Sequence, residues 1–153
     1  MAQDEDPSAT ARAIIDANLY MVLGTADATG RPWVSPVYYA PAGYREFVWL
    51  SSPDAKHSQN IQTRPEVGVV IFDSTVPIST GQGVYMSALA KELDDTAITD
   101  WIELYSQRSI RHGGRPFTAN DVRPPARLRL YVATAHDHYV LETDVDRRIP
   151  VSP

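Results

Sequence analysis

Phe47-Val48-Trp49-Leu50-Ser51-Ser52, then Pro53-Asp54-Ala55-Lys56-His57-Ser58-Gln59-Asn60-Ile61-Gln62, then Arg64-Pro65-Glu66-Val67-Gly68-Val69-Val70-Ile71-Phe72 is the stretch whose reading decides the fold. Its outer thirds are short, β-rich apolar runs and read as strands. Between them Ser52 offers an N-cap, Pro53 suits a first helical turn and Arg64-Pro65 is a stop. The spacing therefore predicts strand, short helix, strand. Ser51, Ser52, Lys56, His57 and Ser58 gather at the helix start, where unpaired amides and partial positive charge favour anions. A phosphate monoester would suit that group. An ordinary capped helix with a solvated polar face accounts for the same residues.

Upstream, Ser8 to about Asn18 is expected to be helical. Leu19 to Thr25 reads as a buried strand, Asp27-Ala28-Thr29-Gly30 as a turn, and Trp33 to Tyr39 as the returning strand of a hairpin. Pro36 cannot donate to a ladder, so that strand is expected at an edge, or bulged. Downstream, Val84 to Leu93 alternates Val84, Met86, Ala88 and Ala90 against Tyr85, Ser87, Leu89 and Lys91, a strand with one buried face. Asp94 or Asp95 starts a helix to roughly Arg111, with Ile98, Trp101, Ile102 and Tyr105 on one stripe. Leu128 to Ala133 and Tyr139 to Glu142 are two further strands, with a turn near His136-Asp137. About seven strands and three helices joined by hairpin-compatible connections make a mainly β protein. A closed or nearly closed antiparallel barrel with helices outside is the economical architecture. Residues 1–7 are expected to be a disordered acidic tail, 8–146 one domain, and 147–153 a short polar tail.

Composition narrows the function. The 153 residues carry 19 acidic and 14 basic side chains, a balance unsuited to a broad nucleic-acid footprint. No apolar run reaches membrane-spanning length and the acidic start does not read as a signal peptide, so a cytoplasmic protein is expected. There is no cysteine, which removes disulfides, thiolate metal sites and cysteine nucleophiles. No metal site is expected either: His136-x-His138 lacks a third ligand. No serine sits in a G-x-S-x-G elbow, and Gly81-Gln82-Gly83 lacks the context of a dinucleotide fingerprint.

Four pieces in register resemble the pyridoxamine 5'-phosphate oxidase-like family of FMN-binding split barrels. They are Leu23-Gly24-Thr25, Gly30-Arg31-Pro32-Trp33-Val34-Ser35-Pro36-Val37, Phe47 to Phe72, and Val84 to Leu93. The resemblance implies an antiparallel split β-barrel of the FMN-binding type, forming a homodimer with one FMN in each of two interface grooves. It places Ser35, Pro36 and Val37 beside the isoalloxazine ring, and Leu50, Ser51, Lys56, His57 and Ser58 at the ribityl chain and phosphate. A family glutamine near the flavin aligns close to Gly83, with neighbouring Gln82 as its substitute. Trp101, Tyr105 and Arg108 stand for the substrate side, to which His112 and Arg115 are further candidates.

Departures from the family bear on substrate. Family oxidases carry an Arg-Lys pair at the phosphate where this chain has Lys56-His57. They have a substrate-phosphate lysine where Ala40 stands, and a C-terminal arginine-histidine motif missing from Asp144 to Pro153. An FMN-dependent reductase or oxidase acting on another small molecule is therefore expected, with no side chain singled out as catalytic because flavin carries the hydride chemistry. The alternatives are a deazaflavin-dependent reductase, whose groove would draw on Arg31, Arg45, Lys56 and Arg64, a pyridoxamine 5'-phosphate oxidase, and a non-enzymatic flavin or haem binder.

Overall fold

A computed structural model describes residues 6–153; residues 1–5, most of the expected acidic tail, lie outside the described part. Helix α1 (Pro7–Ala17) leads into the hairpin β1 (Tyr20–Ala26) and β2 (Pro32–Tyr38). Strands β3 (Ala40–Ala42) and β4 (Glu46–Ser51), helix α2 (Lys56–Thr63) and strands β5 (Glu66–Phe72) and β6 (Gly83–Glu92) follow. Helix α3 (Asp95–Arg111), the long β7 (Arg129–Glu142) and β8 (Arg147–Val151) complete the chain.

All eight strands are antiparallel members of one sheet in the order β2-β1-β5-β6-β7-β4-β3, with β8 added on β7. Only Tyr39 separates β2, at one edge of that order, from β3, at the other. The chain itself thus carries the sheet round on itself, which makes the curled, antiparallel split barrel. β2 is an edge strand pairing only with β1, and Pro36 stands opposite Val22 there, where a missing N–H costs no second ladder.

Two apolar cores divide the interior. One lies within the curl and includes Met21, Leu23, Phe47, Trp49, Ile71, Val84 and Met86, with Ile15 of α1 closing it. Tyr39 belongs to it and donates its hydroxyl to the Ile15 carbonyl at 2.6 Å. The other lies outside the curl, where Ile98, Ile102 and Tyr105 of α3 cover Val48, Leu130 and Val132. Alternation along β6 holds as expected, with Val84, Met86, Ala88 and Ala90 buried.

The structure corrects three boundaries. Residues 129–142 form one strand, not two: His136-Asp137 is not a turn but a register shift opposite Ser87/Ala88, an extra residue accommodated by a bulge. Residues 147–151, expected as tail, form β8, with Ile149 and Val151 packed on the inner core and Arg147 bridging Glu142 at 2.6 Å. Asp6, expected in the disordered tail, caps α1 by accepting from the Ser8 amide at 3.0 Å. No helix among the described residues is long and apolar enough to cross a membrane.

Candidate functional site

Helix α2 starts three residues later than Ser52-Pro53 predicts. Ser52 spends its hydroxyl on the Asp54 amide at 3.1 Å and its carbonyl on the Ala55 amide at 3.1 Å, a turn rather than a cap. The N-cap is Ala55, and no side chain closes the helix start. The amides of Lys56, His57 and Ser58 belong to the first turn, which has no helical carbonyl to meet.

Lys56 extends towards β2, with Nζ 4.6 Å from the centroid of the Trp33 ring, and Trp33 is 45% exposed. His57 turns inward. Its Nε2 pairs with Ser51 Oγ at 2.7 Å, and burial pushes its pKa below the ordinary histidine range. The second cation expected beside the phosphate is therefore a neutral, buried imidazole that joins α2 to the end of β4. Asn60 makes a link the sequence did not disclose: its Nδ2 donates to Thr25 Oγ1 at 3.0 Å, and Thr25 Oγ1 donates to the Trp33 carbonyl at 3.3 Å. One turn after Lys56, that chain of polar contacts ties α2 to β1 and β2.

The other site candidates divide. On β2, Ser35 is half-buried, Pro36 exposed, and Val37 packs into the inner core; on β4, Leu50 is half-buried and Ser51 buried. The end of β4, the start of α2 and the outer part of β2 thus come together. Ser58 lies on the other flank of α2, 4% exposed, with its Oγ unpartnered. Gln82 is occupied elsewhere: its Oε1 accepts from the Leu141 and Gly83 amides at 2.8 and 2.9 Å, and its Nε2 donates to the Leu141 carbonyl at 2.7 Å.

The later helix faces inward. Tyr105 is in the outer core against Tyr38 and Phe117, and burial pushes its phenol up to about 12. Arg108 is 6% exposed, donates to the Asn18 carbonyl at 2.7 Å and lies 5.0 Å from the Tyr39 ring. Packing therefore occupies both side chains, while Trp101 is half-buried at the core's margin. Of the outlying candidates, His112 Nδ1 pairs with Tyr38 Oη at 2.7 Å beside Tyr20, and Arg115 bridges Asp121 at 3.2 Å.

Of the four cations proposed for a deazaflavin groove, Arg45 stands next to Glu46, at the end of β4 remote from Ser51. That separation is five residues, roughly 17 Å along a strand. Arg64 donates to the Ala28 carbonyl at 3.0 Å. Among the described residues no three His, Asp or Glu side chains converge as a metal site.

A face of the sheet remains apolar and open. Val22, Val34, Val70, Tyr85 and Tyr139 border a shallow depression of about 380 Å³, and Tyr20, Val34 and Phe72 are 59, 60 and 46% exposed.

Comparison with known proteins agrees with this architecture. A haem storage protein, HutZ, from Vibrio cholerae has a similar structure with a TM-score of 0.68 at 17% identity, over 86% of this chain and 92% of that one. An F420 reductase is similar with a TM-score of 0.61 at 19% identity, over 83% and 94%. A protein related to general stress protein 26, of the pyridoxinephosphate oxidase family, from Clostridium acetobutylicum gives 0.65 at 11% identity, over 94% and 92%. No curated protein matches the sequence. The family model described as pyridoxamine 5'-phosphate oxidase matches residues 8–140, from the first helix to the long closing strand, and the chain belongs to that family.

Proposed function

We propose that the protein is a cytoplasmic, homodimeric, FMN-dependent oxidoreductase acting on a small molecule other than a pyridoxine phosphate. The observation that carries this reading is the uncapped start of α2 beside Lys56, in a chain of this family. FMN, when bound, would supply hydride chemistry at its ring. The residues present fit its phosphate with one exposed cation, Lys56, and the open amides of Lys56, His57 and Ser58. The Ser51–His57 pair and the Asn60–Thr25 bond fix the angle at which those amides face outward. Trp33 holds Lys56 beside that opening through a cation–π contact and gives an aromatic face next to β2. The open apolar face of β1, β2 and β5 supports a dimer in which a partner subunit covers it.

Substrate choice follows from what is missing. Ala40 is wholly buried, so its position offers no charge to a substrate phosphate. Residues 147–151 are committed to β8 and carry no arginine-histidine pair.

The test is the visible spectrum of the purified protein after incubation with FMN, with a deazaflavin and with haem in turn, followed through gel filtration. Retention of a flavin spectrum by a dimer, without turnover of pyridoxine phosphate, is the expected outcome. Retention of haem or deazaflavin in preference to FMN would overturn it, and the structural neighbours that are a haem storage protein and an F420 reductase make both necessary arms.

A further inference from the structure

On the far flank of α2 the side chains, that of Ser58 included, point away from the amides that face β2. A cleft of about 400 Å³ lies between that flank, the end of β6 and β7, within the roughly 300–1,000 Å³ typical of small-molecule sites. Pro53, Ile61 and Pro65 give it apolar walls. Tyr131 lines it too, and stacks on Trp49 with ring centroids 5.6 Å apart and planes 18° from parallel.

Three polar groups border this space. Ser58 Oγ is buried and closes no hydrogen bond of good geometry; the Tyr131 phenol lies close to it and to Glu92, so the three polar groups gather at one point. Tyr131 is 3% exposed, and burial raises its phenol above the ordinary tyrosine range, so it stays a neutral O–H. Glu92 is the direct cross-strand neighbour of Tyr131 and has no ion pair among the described residues. Lys91 also borders the cleft, but strand alternation sends its side chain to the opposite face from Glu92. Arg129 is committed to the Ala126 and Leu128 carbonyls.

The cleft is distinct from the start of α2 that faces β2. Successive helical residues are about 100° apart around the axis, so Ser58 and Gln62 stand opposite Lys56 and Asn60. We propose that this cleft is a second small-molecule site, independent of the cofactor groove, and that it takes aromatic amines. The ring would lie against Tyr131 and the prolines, the ammonium would meet Glu92, and Ser58 would complete its hydrogen bonding with a polar atom of the ligand.

Tyramine is the probe; 4-hydroxyphenylacetate, with the same ring and a carboxylate in place of the amine, is the control. The full chain is titrated with each and followed by NMR chemical shifts. Tyramine should saturate in the range of about 0.1–1 mM, with the largest shifts at Ser58, Gln62, Glu92 and Tyr131. Glu92→Gln, at an exposed position that folding tolerates, should weaken tyramine roughly tenfold or more, as loss of a charge-assisted contact does. Lys91→Gln should not weaken it. The control should bind far more weakly than tyramine, and FMN should leave the tyramine titration unchanged. Equal binding of probe and control, shifts centred on Trp33 and Lys56, indifference to Glu92→Gln, displacement of tyramine by FMN, or no saturation would each overturn the proposal. Failure of FMN itself to bind would count against the cofactor reading only, because the tyramine titration stands without it.

Discussion

Helix α3 begins at Asp94, whose carboxylate accepts from the Thr96 hydroxyl at 2.6 Å and from the Ala97 and Thr96 amides at 3.0 and 3.1 Å, and those bonds, the hydroxyl first, hold its pKa below the ordinary carboxylate range. Helix α2 begins at Ala55, which has nothing to offer, and its first-turn amides are left to the surroundings. The capped start belongs to the helix that covers the outer core, and the uncapped one to the helix that carries Lys56. A cap closes a helix start to other acceptors; without one, the dipole and the amides stay available to an anion. The contrast teaches that local stability has been favoured at one start and left incomplete at the other.

The strongest way to break this contrast is Lys56→Ala. Loss of a charge-assisted contact costs about 1.5–3 kcal/mol, so the Kd for FMN should rise roughly ten- to hundredfold, with riboflavin, which lacks the phosphate, changing much less. Fluorescence titration of both ligands checks it; equal losses would mean the phosphate lies elsewhere. At the other helix, Asp94→Ala should cost about 1 kcal/mol of stability, or roughly 3 °C in Tm at this chain length, with FMN affinity unchanged. Calorimetry paired with the same titration would show it.

Ala55→Asp sharpens the contrast by giving α2 the cap that α3 has. The backbone there is already extended, with φ −62° and ψ 144°, so stability should rise by about 0.5–1 kcal/mol while FMN weakens. A variant that gained stability and kept its FMN affinity would separate the open start from the ligand. The smallest effect concerns His57, whose folded pKa is depressed by burial. Above the unfolded value of about 6.5 the imidazole is neutral in both states. As pH falls from there towards the lower folded value, the unfolded chain takes up the proton first and stability is lost. Urea unfolding between neutral and mildly acidic pH should show that loss in the parent and less of it in His57→Gln.

Much of the barrel was legible because its strands announce themselves by burial on one face. β6 alternates cleanly, α3 presents Ile98, Ile102 and Tyr105 on one stripe, and Pro36 marked an edge. Other features were hidden by residues that serve two purposes. Ser52-Pro53 has the signature of a helix start but makes a turn, because its hydroxyl is satisfied two residues on. His136-Asp137 has the polarity of a loop but sits in a bulge, where one unpaired residue is tolerated. Arg147 and Arg148 gave β8 the look of a tail, although one bridges Glu142 and the other lies 4.6 Å from the Tyr85 ring. At the candidate site, the nearness of Ser51 and Lys56 to the start of α2 could be read from spacing. The inward turn of His57 and the bond from Asn60 to Thr25 depend on a partner strand brought in by the fold, and Gln82 clamps β7 for the same reason.

Strand β7 has a consequence for how the molecule is made. It pairs with β6 along most of its length, with β4 through Arg129–Thr134 and with β8 through His138–Glu142. Its contact with β4 joins residues roughly 80 positions apart, a separation whose loop-closure entropy must be met before any ladder forms. During synthesis, β4 waits with an unpaired edge and Trp49 uncovered until nearly the whole chain has emerged. Closing that seam stacks Tyr131 on Trp49 and brings Tyr131 to the far flank of α2, so the cleft on that flank is completed only when the barrel closes, whereas the flank facing β2 needs no residue of β7.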